Sequence, residues 1–150
     1  MNLYSIALFV HVVGSLLLFV LLTAEGLGLR AGFASAQLNR ILGPISALAI
    51  LAPGFYMAAQ TGWHPWTAVG LATYTLIAVA GGYTGIAVTR GRMRSSTAAL
   101  SWFARVGMAL GVVFDMTVKP ELVTSIVAVL VAVALALAAA VPAVRRARIA

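Results

Sequence analysis

Between Leu3 and Ala24 the chain runs for 22 residues without a formal charge. That run constrains the fold more than any other feature. At 1.5 Å per residue a helix of this length reaches about 33 Å, enough for a hydrocarbon core of about 30 Å. The stretches Ile41–Ala59, Trp66–Val88 and Leu122–Val144 are equally free of charge. No soluble core of this size absorbs so much apolar surface: 63% of the residues are hydrophobic and 9% charged, against about 45–50% and about 25% in soluble domains. The excess is expected to face lipid or other membrane helices. No Lys or Arg precedes Leu3, and the first run exceeds the 7–15 apolar residues of a signal peptide. It reads as a retained first helix. Pro44 is expected in the first turn of the second helix, where a missing N–H costs little. Pro53, deeper in, is expected to kink it.

The segment Ser95–Val118 is long enough to span but carries Arg105 and Asp115. The distribution of arginine decides its reading. Arg30 and Arg40 follow the first run, Arg90, Arg92 and Arg94 follow the third, and Arg145, Arg146 and Arg148 lie near the end. If Ser95–Val118 crosses, all eight fall on one side; if it does not, leaving four spans, the last cluster lies opposite the others. Cytoplasmic loops carry the excess of Lys and Arg. The expectation is therefore an all-α bundle of five transmembrane helices forming a single domain, at about 3–29, 41–59, 66–88, 95–118 and 121–144. Its N-terminus would lie outside and its C-terminus in the cytoplasm. The loop Gln60–Pro65 has no charge, and Trp63, Trp66 and Tyr56 around it match an interfacial aromatic belt. Short connections imply antiparallel neighbours. The net charge of +7 belongs to these orientation clusters and not to a basic nucleic-acid surface.

Ionisable side chains inside a membrane are costly and mark functional sites by default. His11, Glu25, Arg105 and Asp115 qualify. His11, Gly14, Leu18, Leu21, Glu25 and Gly28 follow a 3–4 spacing on the first helix, and Arg105, Met108, Val112 and Asp115 follow it on the fourth. Each reads as an inward stripe. By depth, Glu25 is expected to pair with Arg105 near the inner end, and His11 to share a hydrogen bond with Asp115 in the outer half. The bland reading of the four is a structural polar seam. Pro120 cannot continue the preceding helix and suits the first turn of the next, so Asp115–Glu121, with Lys119 and Pro120, is expected to form a tight outer turn.

A second constellation consists of His11, His64, Met57 and Met116, with Asp115 near it. Imidazole and thioether ligands suit copper, and two imidazoles suit haem; against this, His64 also reads as interfacial decoration and Met as core filler. Gly81, Gly82 and Gly85 give the third helix a small-residue face for close packing, within the protein or between protomers. With no cysteine, thiolate metal sites, iron–sulfur clusters and a cysteine nucleophile are excluded. H-E-x-x-H, G-x-S-x-G and a carboxylate dyad are absent, and a lipid-directed enzyme lacks a nucleophile paired with a base.

The segments H-V-V-G at His11, T-A-E-G at Glu25, W-F-A-R ending at Arg105 and D-M-T-V-K-P from Asp115 to Pro120 resemble a bacterial family of small predicted integral membrane proteins of unknown function. The resemblance implies a helical bundle in the bacterial inner membrane and no particular activity. A fainter likeness, resting on the early-helix His, is to copper-resistance membrane proteins. The leading expectation is a non-enzymatic subunit or transporter-like bundle with a polar seam and no cofactor, meeting the lipid bilayer and forming a homo-oligomer or part of a larger membrane complex. The alternative is a haem- or copper-binding redox or metal-handling protein using His11.

Overall fold

The computed structural model describes residues 2–31 and 36–149, with side-chain surroundings from 2–29 and 37–142. It consists of five helices: α1 (Leu3–Ala31), α2 (Ala36–Thr61), α3 (Pro65–Thr89), α4 (Ser95–Val118) and α5 (Leu122–Ile149). No strand occurs among the described residues. All five helices are long and apolar enough to cross a membrane, including α4 with its two charged groups.

Helix α2 starts at Ala36 and not near Ile41, so Gln37, Asn39 and Arg40 are helical. Polar side chains at a helix end do not stop the backbone ladder. Pro44 therefore lies inside α2 with Pro53, and the expected first-turn placement is corrected. Likewise α5 continues through Pro142 to Ile149.

The turn between α4 and α5 is short. The helix persists through Asp115 to Val118, leaving only Lys119, Pro120 and Glu121 as the link. A residue before proline is disfavoured in the right-handed helical region; Lys119 takes φ 53°, ψ 53°, and its N–H donates to the Asp115 carbonyl at 2.9 Å. Glu121 precedes α5 and does not enter it, and its carbonyl accepts the Ser125 N–H.

Consecutive helices are antiparallel. Ser46 and His11 join α2 to α1, Thr84 meets Ser101 between α3 and α4, and Gly111 faces Val129 between α4 and α5. The α1–α2 and α4–α5 pairs are the most extensive. Helix α3 bridges α2 to α4 and touches α5, while α1 reaches α4 directly. Leu22, Ile50, Tyr74, Ile77 and Ala109 form a buried core drawn from α1 to α4. Alternation of direction brings Arg40, Arg90, Arg92 and Arg94 to one end, with the last turns of α5. Outward faces stay apolar, with Phe9, Leu48, Tyr83 and Val123 each more than two-thirds exposed to the surroundings, as lipid contact requires.

Candidate functional site

Polar side chains within the spans gather around Arg105 and Asp115 of α4 and, between α1 and α2, around His11 and Ser46. At the arginine-bearing end, the Arg105 guanidinium grips Glu25 as a fork. Nη1 donates to Oε2 at 2.8 Å and Nη2 donates to Oε1. The two side chains are 5% and 14% exposed, so the pair is largely withdrawn from its surroundings. Bidentate charge-assisted bonds of this kind are strong and directional. Asn39 of α2 adds a long bond to the same Oε2 at 3.4 Å. Gly81 of α3 makes room for the arginine, since a Cβ there would stand 3.2 Å from Nη1. Beside it, Trp102 lies on Gly26, where a Cβ would come within 2.4 Å of the indole, and its Nε1 donates to the Leu22 carbonyl at 2.7 Å. Thr84 and Ser101 share a hydrogen bond of 2.7 Å. Four helices thus meet at one polar layer.

The α1 stripe does lie on neighbouring helices. Gly14 packs on Ala49 of α2, and the Ser46 hydroxyl donates to the Gly14 carbonyl at 3.0 Å. His11 Nδ1 is 2.9 Å from the Ile50 carbonyl, and the ring edge lies beside Gly54. The expected bond from His11 to Asp115 is absent. The carbonyl of α2 takes the imidazole, and Asp115 points elsewhere.

The α4 stripe divides. Ten residues at about 100° each leave Asp115 roughly 80° away from Arg105 around the helix. Arg105 faces α1 and α3, whereas Asp115 faces α5. A different spacing runs along that second face. Gly107, Gly111 and Asp115 recur every four residues. A Cβ at Gly107 would stand 2.7 Å from the Ala132 carbonyl oxygen, and one at Gly111 would stand 2.8 Å from the Val129 Cα. One register step further, Asp115 meets Ser125. Both residues are fully buried, yet neither carboxyl oxygen nor the Ser125 hydroxyl completes a hydrogen bond among the described residues. The motif G-x-x-x-G-x-x-x-D at 107–115 carried this information in the sequence. Ser125, Trp102 and Asn39 carried no comparable signal.

The proposed ligand constellation disperses. His64 stands in the exposed α2–α3 corner and stacks on Trp66 at 6.0 Å, while the Lys119 ammonium lies 5.6 Å from the same Trp66 ring. Met116 reaches Gly70 of α3, and Met57 is half-buried on α2. Among the described residues no three His, Cys, Asp or Glu side chains gather as metal ligands. Of the α3 glycines, Gly82 and Gly85 have open space where a Cβ would go among the described residues. Comparisons with family models, curated proteins and solved structures find no match.

Proposed function

We propose that the chain is a non-enzymatic, transporter-like membrane bundle in which the polar seam is the working element. The observation that carries this reading is the forked Glu25–Arg105 pair, which together with Trp102 ties α1 to α4 at one level. An ion pair of this burial is a poor device for stability alone, because desolvation offsets much of its attraction. Its use is registry between two helix groups that can exist in two arrangements. We place the arginine-bearing end in the cytoplasm, following the positive-inside rule. The bacterial inner membrane is the location implied by the family resemblance.

The chain has no cysteine, so Ser46→Cys introduces a single thiol against Gly14, between His11 and Glu25 on the α1 stripe, where Ser46 is 1% exposed. Labelling with a membrane-impermeant maleimide in right-side-out and inverted vesicles tests the reading. A transporter-like bundle opens the seam, and the thiol labels from at least one side. No labelling from either side over hours sinks the transporter-like reading and leaves a closed structural subunit. Reporter fusions at both termini test the orientation. Reporters on the same side of the membrane contradict it.

A further inference from the structure

We propose that Asp115, facing Ser125 across the α4–α5 seam, is a proton-binding site, with the seam closed when the proton is on and loosened when it leaves. The inference rests on the transporter-like reading and names the ion that reading leaves open.

Three observations carry it. First, the carboxyl is fully buried and neither oxygen has a hydrogen-bond partner. An ionised carboxylate enclosed without a partner costs far more than a neutral acid. Second, among the described residues no compensating charge faces it. Helix α5 has no titratable side chain from Leu122 to Pro142, and α3 offers only Tyr74 and Tyr83. On α1, Glu25 is held by Arg105, His11 by the Ile50 carbonyl, and Tyr4 is exposed. On α4 itself Arg105 is committed to Glu25. At the outer corner Lys119 lies on Trp66, and Lys119, Glu121 and His64 are exposed. Third, the carboxyl continues the line of Gly107 and Gly111, where α4 and α5 approach backbone to backbone. An alkali ion needs a shell of several oxygens; a proton needs none. Protonation also turns the carboxyl into a donor, for which the unpartnered Ser125 hydroxyl is an acceptor. Loss of the proton leaves a bare charge in a closed apolar seam, and separating the helices to admit water relieves it.

Asp115 is the chain's single aspartate, so aspartate carrying 13C at the side-chain carboxyl reports this site without mutation. Infrared or NMR spectra of the labelled, purified protein in lipid give the protonation state directly. The expected result is a carboxylic-acid signal at neutral pH in sodium-free buffer. It should convert reversibly to carboxylate as pH rises, with the ratio changing about tenfold per pH unit. A carboxylate signal at neutral pH overturns the proposal. So does conversion of acid to carboxylate on adding sodium at constant pH, which assigns the site to a metal cation. Asp115→Asn supplies the second readout. The wild type should lose thermal stability on going alkaline relative to this variant, and parallel profiles of the two overturn the closing role. The spectra read protonation whether or not the seam opens, so this inference and the transporter-like reading can fail separately.

Discussion

Helix α4 carries two buried charged groups and treats them in opposite ways. Arg105 is met by a carboxylate from another helix in a two-bond fork, with a glycine cleared to admit it and an indole beside it. Asp115, ten residues on, is more deeply enclosed yet has only a serine for company and no completed bond. The first arrangement is a fastener whose two charges are matched, although the buried Arg105 Nε and Asn39 Oδ1 beside them have no partner among the described residues. The second is a carboxyl without a hydrogen-bond partner, on the glycine line where α4 and α5 approach closely. Within one helix, burial therefore says little by itself; what distinguishes the two ends is whether the counter-group is supplied by the chain.

The largest effect expected is at the fastener. Glu25→Gln or Arg105→Met alone leaves the opposite charge buried without a partner, a loss on the order of 3–5 kcal/mol. The double variant should be less harmful than the sum of the singles. Thermal denaturation in detergent of the three proteins measures the coupling. Additive losses would erase the contrast between the two ends, since the pair would then contribute nothing as a pair.

Next is the glycine line. Gly107→Ala and Gly111→Ala each push a Cβ into the backbone of α5, and Gly26→Ala pushes one into the rigid Trp102 ring. Overpacking of this kind costs about 1–3 kcal/mol. Gly82→Ala meets nothing and should be neutral or gain up to about 1 kcal/mol from helix propensity. The same melting assay ranks all four. Equal behaviour of Gly111→Ala and Gly82→Ala would show that α4 and α5 are not in close contact.

The division of α4 also shows what the sequence could and could not convey. Five spans were legible because uncharged runs of span length and a one-sided arginine distribution are global properties, insensitive to detail. Glu25 and Arg105 could be set at one level because depth along a helix is fixed by the rise per residue. Direction around the helix is harder. Arg105, Met108, Val112 and Asp115 satisfy a 3–4 spacing, but a spacing that drifts over ten residues passes from one neighbour to the next, so the stripe split between α1 and α5. His11 was assigned a side-chain partner when a backbone carbonyl on α2 was available, and carbonyls leave no trace in a sequence. Helix α2 starts at Ala36, ahead of its charge-free run, because polar side chains at a helix end do not interrupt its backbone geometry.

The smallest effect is at the α4–α5 corner, where two opposing contributions meet in one residue. Lys119 adopts a left-handed backbone conformation at φ 53°, which costs a residue with a Cβ about 1–2 kcal/mol. Its ammonium lies 5.6 Å from the Trp66 ring, a cation–π contact worth about 0.5–1 kcal/mol at an exposed site. Lys119→Gly removes both, so its net change should be within about 1 kcal/mol of zero and lean towards stabilising. Lys119→Ala keeps the strain and loses the contact, so it should be destabilising by about 0.5–1 kcal/mol. The difference between the two variants isolates the backbone contribution; repeating Lys119→Ala in a Trp66→Leu background isolates the ring. If Ala and Gly at this position melt together, the corner is not left-handed, and α4 would not be released into the three-residue link that sets Asp115 opposite Ser125. The corner is thus a weak element energetically, although it closes the α4–α5 link in three residues.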